Sequence, residues 1–140
     1  MKILLTGSTG YIGRRLLPNL VEAGHHVICP VRDKRRFDFE DFDEEFLEHV
    51  EVISCDFLDA DSLNQLPKDL DAAYYLIHSL TSNSTEFSKL ESTTAENFVT
   101  YLDQTTAKQI IYLGGIANDT ELSVHLSSRQ NVETILQNAA

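Results

Sequence analysis

Apolar runs of five to seven residues alternate along the chain with longer segments that carry a helical repeat. The apolar runs predict strands over residues 2–6, 26–31, 50–55, 72–78 and 109–113. Apolar residues spaced three or four apart predict helices over 11–23, 86–106 and 122–138, with short helices at 43–48 and after Asp61. Strands that alternate with helices predict a parallel, doubly wound α/β sheet.

The expected strand order predicts where a ligand binds. Right-handed crossovers with a reversal after the third strand give five strands in the order 3-2-1-4-5. The order reverses between the first and fourth strands, and ligands of such sheets bind there, at the carboxyl ends of the strands. A glycine-rich turn after the first strand and His78-Ser79 after the fourth are expected to face that crevice.

Length and composition predict a single globular domain. A chain of 140 residues with 42% apolar residues is expected to form one domain, residues 1–140, with a real core. No apolar run approaches the ~20 residues of a membrane-spanning helix. Gly7 interrupts the first apolar run before a signal peptide can form. We therefore expect a cytoplasmic protein with no membrane partner.

The charge is strongly negative but is concentrated in one segment. The formal net charge is −11, and residues 38 to 51 hold eight acids and no lysine or arginine. Without those eight, 14 acids face 11 bases, so most of the imbalance is local. The excess of acid argues against nucleic acid as a partner. The acidic segment itself is expected to be a solvated surface.

The two cysteines, Cys29 and Cys55, lie near the ends of predicted strands. In a cytosolic chain such residues are expected to be buried and apolar in character, without a disulfide. No cysteine and histidine positions have metal-ligand spacing, so we predict no metal site.

The turn from Thr6 to Gly13 follows the first strand directly. Gly7 is expected to take a positive φ, Gly10 to leave room for a pyrophosphate, and Gly13 to let the helix pack close to the strand. Free N–H groups at the helix start would then face the anion. Strand, turn and helix together predict a dinucleotide site. The glycine spacing is one residue longer than in G-x-G-x-x-G, and the alternative is an ordinary glycine-rich turn.

The residues after the second strand indicate which dinucleotide is bound. An acid there would bond the ribose 2′-hydroxyl and indicate NAD, but Arg32 holds that position. A guanidinium binds a 2′-phosphate bidentately, and Arg35 and Arg36 add positive charge. The sequence therefore favours NADP over NAD.

Nearby acids leave alternatives open. Asp38 and Glu40 are candidate partners of Arg32, in which case that arginine only decorates a loop beside the acidic segment. Asp33 can contact a ribose, which would allow NAD. Asp56, after the third strand, can accept a hydrogen bond from the adenine amine or serve as a cap in its loop.

Five motifs give the chain a resemblance to a known family: Thr6-Gly7-x-x-Gly10-x-x-Gly13, Val31-Arg32-Asp33, Asp56-Phe57-Leu58, Tyr75-Leu76-Ile77-His78-Ser79 and Ile111-Tyr112-Leu113-Gly114-Gly115. With them the whole chain resembles an atypical short-chain dehydrogenase/reductase of the NmrA-like, nucleoside-diphosphate-sugar-epimerase-like kind, with a Rossmann fold. The resemblance implies roles for four groups of residues. The pyrophosphate would be held by Ser8, Thr9, Gly10, Tyr11 and Ile12, the 2′-phosphate by Arg32, the adenine by Asp56 and Phe57, and the nicotinamide ribose by Ile77, His78 and Ser79.

Two departures from the family concern catalysis. The superfamily carries a serine after the fifth strand, where this chain has Gly114-Gly115. It also carries Tyr-x-x-x-Lys on the next helix, where this chain offers His125 and Arg129 at the same spacing. A histidine can move a proton near neutral pH, with the arginine on a phosphate or ribose. The alternative is that both are solvated helix residues.

The last departure is length. The superfamily continues through a sixth strand and a substrate-binding part, so this chain is expected to be the cofactor half of a longer protein. The predicted function is the NADP(H)-binding domain of an oxidoreductase or epimerase with a small-molecule substrate. The alternative is a regulatory protein that binds NAD(P)H without turnover, which the missing tyrosine and lysine favour.

Overall fold

The computed structural model describes residues 1–78, 84–115 and 124–139 as a five-stranded parallel sheet flanked by helices. The strands are β1 (Lys2–Leu5), β2 (His26–Val31), β3 (Val50–Ser54), β4 (Ala72–Tyr75) and β5 (Gln109–Tyr112). The α-helices are α1 (Tyr11–Glu22), α2 (Glu44–Leu47), α3 (Ser84–Leu102) and α4 (Val124–Gln137). Short 3-10 helices lie at Lys34–Arg36, Phe39–Asp41 and Ala60–Gln65.

The sheet has the predicted strand order, β3-β2-β1-β4-β5, with every pair parallel. In the centre, Leu4 of β1 pairs with Ile28 of β2 on one side and with Ala73 of β4 on the other. The doubly wound α/β prediction is therefore confirmed. The reversal of order places the crevice between the ends of β1 and β4.

Alternate residues of β1 enter two hydrophobic cores on opposite faces of the sheet. Ile3 and Leu5 pack on the face that holds Leu17 of α1. Leu4 packs on the other face with Phe98 of α3. This alternation follows from the two-residue period of a strand. Both faces are covered, and as a result β1 is apolar at consecutive positions.

Helix α1 ends where the glycine at position 24 predicts. Gly24 has φ +83°, and its N–H donates to the carbonyl of Val21 at 2.9 Å. The N–H of His25 donates to the carbonyl of Leu20 at 3.1 Å. These two bonds form a Schellman motif, which satisfies carbonyls that the helix leaves free. Pro18 lies inside the helix, which runs on past it to Glu22.

Three predicted elements differ from the structure. The helix after Asp61 is of the 3-10 type, begins at Ala60 and is capped by the Asp59 carboxylate. Strand β4 stops at Tyr75 because the next N–H, of Leu76, donates to the Thr6 side chain at 3.0 Å instead of continuing the sheet ladder. Helix α3 ends at 102 and not near 106, since the following residues form tight i to i+3 turns.

The acidic segment folds around four phenylalanines. Phe37 is buried, and the rings of Phe42 and Phe46 stack with centroids 4.2 Å apart. The carboxylate of Asp43 accepts from the N–H of Phe46 at 2.8 Å and so begins α2. Its acids are exposed as predicted, but the segment also packs an aromatic cluster against the core beside α1.

Cys29 and Cys55 are buried free thiols, as predicted. Burial raises the pKa of each to about 12, and the charge of Asp56 adds to this effect at Cys55. Because the thiolate is the reactive form, we expect neither thiol of the folded protein to react with Ellman's reagent at pH 8. Two equivalents should react after unfolding in guanidinium chloride. Rapid labelling of the native protein would contradict the assigned burial.

No helix within residues 1–78, 84–115 and 124–139 is long and apolar enough to cross a membrane. Over the same residues, no three histidine, cysteine or carboxylate side chains lie close enough together to hold a metal ion.

Candidate functional site

The glycine turn after β1 is bent by Gly7, which has φ +68° as predicted. A side chain at this position would place its Cβ 2.6 Å from the carbonyl oxygen of Leu76. That distance is well inside van der Waals contact. The turn therefore needs glycine both for its backbone conformation and for the close approach of the chain after β4.

Thr6, at the end of β1, hydrogen-bonds through its side chain to the backbone of β4 and of the residue that follows it. Its hydroxyl donates to the carbonyl of Tyr74 at 2.8 Å and accepts from the N–H of Leu76 at 3.0 Å. Thr6 is fully buried, and both hydrogen-bonding directions of its hydroxyl are used. The two strand ends that border the crevice are thus held in fixed register. Sequence reasoning named Thr6 only as part of the motif and missed this role.

Gly10 and Gly13 face different surroundings. A Cβ on Gly13 would lie 2.1 Å from the carbonyl oxygen of Gly7, so α1 packs directly on the turn backbone. A Cβ on Gly10 would meet only that same oxygen, at 3.3 Å, and would otherwise enter open space. Gly13 is therefore required by the fold, whereas Gly10 keeps an accessible cradle free of side chain.

The start of α1 offers free N–H groups to this cradle. Gly10 is the N-cap, no side chain caps it, and the first turn contains no acid. The first intrahelical bond within this turn is from the N–H of Arg14 to the carbonyl of Gly10, at 3.0 Å. The N–H groups of Tyr11, Ile12 and Gly13 therefore lack helical partners and are suited to an anion.

The side chains beside the cradle are mostly exposed. Tyr11 and Ile12 point outward at 70% and 45% exposure, and the Arg15 guanidinium lies 3.6 Å from the Tyr11 ring centroid. Thr9 is half-buried. Ser8 is buried, and within the described residues its hydroxyl makes no hydrogen bond. A buried polar atom without a partner beside an anion cradle is a group to which a ligand can bond.

After β2, Arg32 is open to a ligand, whereas Arg35 is already paired with an acid. Arg32 is exposed and makes no ion pair within the described part of the chain. Asp33 holds Arg35, whose Nε donates to Asp33 Oδ1 at 3.0 Å and whose Nη2 donates to Asp33 Oδ2 at 2.8 Å. These bonds to Arg35 lower the pKa of Asp33 to about 2. Asp38, one of the two alternative acidic partners of Arg32, pairs instead with Arg14.

After β3, Asp56 and Phe57 lie in a rigid loop. The Asp56 carboxylate accepts from the N–H of Leu58 at 2.9 Å, which is the loop-capping role. Ser62 bonds both the N–H and the carbonyl of Asp56, and the Asn97 amide donates to the carbonyl of Phe57 at 2.7 Å. The Phe57 ring is buried against Phe98, so the ring itself is not open to a ligand.

The ends of β4 and β5 lie at the other side of the crevice. Ile77 and His78 follow β4 outside the strand, and Ser79 lies outside the described residues. Partial burial, and then the charge of Arg129, lower the pKa of His78. A Cβ on Gly115 would lie 3.5 Å from Arg129 Nη1, so this guanidinium lies beside the Gly114-Gly115 turn. The His125 side chain lies outside the described part of the chain.

A small cavity of about 180 Å³ opens beside Ser8 and Thr9, on the side of α1 that faces the acidic segment. Arg14 and Arg36 lie in its wall with two carboxylates, above an apolar floor. Sequence reasoning did not single out Arg14. The available signal was its position directly after Gly13, the last glycine of the turn.

Comparisons with known proteins agree with this geometry. A family model described as NAD(P)H-binding matches residues 7–139, which is nearly the whole chain. Among curated proteins, the chloroplastic divinyl chlorophyllide a 8-vinyl-reductase of Arabidopsis thaliana is 31% identical over 71 residues. That alignment covers 51% of this chain and 17% of the reductase.

Solved structures with the same fold include epimerases and reductases. UDP-N-acetylglucosamine 4-epimerase from Bacillus cereus superposes with a TM-score of 0.74 at 21% identity, over 98% of this chain and 54% of the epimerase. Triphenylmethane reductase from Citrobacter sp., complexed with NADP(H), superposes with a TM-score of 0.73 at 18% identity, over 99% and 46%. The chain thus spans about half the length of the structures it matches.

Proposed function

Because the chain belongs to the NAD(P)H-binding family, we propose that it is the NADP(H)-binding domain of an oxidoreductase or epimerase of the atypical short-chain dehydrogenase/reductase kind. The observation that carries the proposal is the cradle at Gly10, open to the outside and bordered by the free N–H groups of α1. A Cβ at Gly10 would project into it. The buried and unpartnered Ser8 hydroxyl at its edge gives a further polar contact.

In this proposal each segment after a strand binds one part of the cofactor. The turn of residues 8–12 and Gly13 hold the pyrophosphate through backbone N–H groups. Arg32 binds the 2′-phosphate, since its guanidinium is exposed and not otherwise paired among the described contacts. Asp56 and the Phe57 backbone bind the adenine. The nicotinamide ribose lies along Ile77, His78 and Ser79.

The bound cofactor supplies hydride transfer, and the chain supplies position and charge. His78 and Arg129 are the titratable and cationic groups at the nicotinamide side. Arg129 is held by its place in α4, where its carbonyl accepts from the Tyr112 hydroxyl at 3.3 Å. Partial burial, and then the charge of Arg129, lower the pKa of His78 and so favour its neutral form. His125 remains a candidate for moving a proton.

The first test is the substitution Gly10→Ala. The added methyl group should weaken NADPH and NADH by similar amounts, about 1–3 kcal/mol, because it intrudes on the phosphates common to both. The folded chain should lose less than about 1 kcal/mol, the usual cost of alanine at an N-cap. Tryptophan is absent, so NAD(P)H fluorescence can be titrated directly. Unchanged affinity for both cofactors would refute the phosphate assignment.

The oxidoreductase or epimerase role is tested separately, in the longer protein to which we propose the chain belongs. We expect NADPH oxidation with at least one member of a panel of carbonyl compounds, or interconversion of a nucleotide sugar. Tight cofactor binding without any turnover would indicate a regulatory protein instead. The two outcomes share the binding site and differ only in chemistry.

A further inference from the structure

The small cavity beside Ser8 and Thr9 contains an arginine that is already neutralised by carboxylates of the chain. Arg14 Nη2 forms an ion pair with Asp38 Oδ2 and lies 3.6 Å from Asp41 Oδ2. Two carboxylates around one guanidinium carry the same total charge as a phosphate dianion. We propose that Asp38 occupies, as an internal competitor, the place on Arg14 that the 2′-phosphate of NADP takes when it binds.

This inference rests on the proposed function and adds to it a residue pair that sets cofactor preference. The cavity adjoins Ser8 and Thr9, so it lies next to the phosphate cradle and on the side of α1 and the residues after β2. Arg36 and Phe37, which follow β2, line the cavity, and the ribose of the adenosine is expected beside the residues that follow β2. Its volume of about 180 Å³ is too small for a dinucleotide and suits one substituent of it.

The lining of the cavity matches a phosphate group. Arg36 is exposed and supplies a second cation, and within the described residues it forms no ion pair. The buried Ser8 hydroxyl lines the same cavity and has no partner within the described chain. Phe37 and Phe42 close the floor with apolar rings. Two guanidinium groups and a hydroxyl around a small volume form the donor set that phosphate oxygens require.

The ion pair between Arg14 and Asp38 is weak enough for a phosphate dianion to replace Asp38. Arg14 and Asp38 are each about half exposed, at 53% and 49% of their side-chain surface. Ion pairs with this exposure contribute little to stability. A phosphate dianion held by two arginines therefore replaces Asp38 readily, whereas the ribose 2′-hydroxyl of NAD carries no charge and leaves the pair intact. The consequence is a carboxylate that lowers affinity for NADP and not for NAD.

The test measures dissociation constants of NADPH and NADH at low ionic strength, where exposed charges are little screened. Asp38→Asn should tighten NADPH by roughly 2–5-fold, the range expected for one exposed ion pair, and leave NADH unchanged. Arg14→Ala should weaken NADPH about 10-fold, the low end for a charged hydrogen bond. In the double variant the gain from Asp38→Asn should disappear, because its only effect is to free Arg14.

Glu40→Gln is the matched control. It removes one negative charge from the same exposed turn, and none of the described contacts joins it to Arg14. An equal gain in Glu40→Gln, a gain for both cofactors, or a gain that persists without Arg14 would overturn the inference. If wild type binds both dinucleotides while Asp38→Asn changes neither, only the inference fails. If wild type binds neither, the proposed function fails with it.

Discussion

Replacing Gly13 with alanine is expected to destabilise the domain by about 3 kcal/mol or more and to abolish dinucleotide binding. Helix propensity alone predicts the opposite, since alanine is about 1 kcal/mol better than glycine inside a helix. The steric clash outweighs this gain, so the net change in stability is unfavourable. The new Cβ would lie 2.1 Å from the Gly7 carbonyl oxygen and 2.8 Å from the Ser8 Cα, and both neighbours are backbone atoms.

The loss would come from the turn and the helix moving apart, which also destroys the cradle. Guanidinium chloride unfolding gives the stability, and fluorescence titration gives the binding. Gly24→Ala is a useful control, because Gly24 has φ +83° but a Cβ there meets no atom within 4 Å. Gly24→Ala should lower the free energy of unfolding only by the backbone strain of a left-handed alanine, about 1–2 kcal/mol. Dinucleotide binding should be unchanged. Near-wild-type stability of Gly13→Ala would contradict the close packing.

The fold was predictable because its signals are local. Consecutive apolar residues in β1 and β2 indicate strands buried on both faces. The glycine at position 24 indicates the helix end, and the strand order then follows from the handedness of the crossovers. The same holds for the turn itself, where the positive φ of Gly7 and the tight contact at Gly13 are what the glycine spacing implies.

The structure of the acidic segment could not be predicted from local patterns in this way. Two 3-10 helices of three residues each are too short to show a repeat, so the burial of Phe37 and the stacking of Phe42 on Phe46 left no periodic pattern. The pairing of Arg14 with Asp38 joins residues 24 positions apart. Such a contact depends on how α1 and the segment pack, which spacing along the chain does not encode.

The surroundings of Gly115 could be predicted only in part. The i, i+4 spacing in α4 named His125 and Arg129 as a pair, and the structure brings Arg129 beside Gly115 and close enough to His78 to affect its pKa. The spacing of residues along the chain does not show why Arg129 lies beside Gly115. Glycine at 115 leaves the room that a serine side chain would otherwise fill, and a long arginine from the next helix reaches into it.

Arg32→Ala is expected to weaken NADPH by about 1.5–3 kcal/mol, or roughly 10–150-fold, while NADH changes little. The guanidinium is exposed after β2 and has no acidic partner among the described ion pairs, so it is available to the 2′-phosphate. Removing it takes away charged hydrogen bonds that only NADP can make. The folded state should be unaffected, because an exposed side chain without partners contributes little to stability.

Arg35→Ala is the matched control for this prediction. It removes the same charge three residues away, but Arg35 is already held by the two carboxylate oxygens of Asp33. Its loss should therefore change NADPH affinity by much less than the loss of Arg32. Equal losses of NADPH and NADH in Arg32→Ala would assign that residue to the shared adenosine instead of the 2′-phosphate. Equal effects of the two arginines on NADPH would mean that only the net charge of this loop matters.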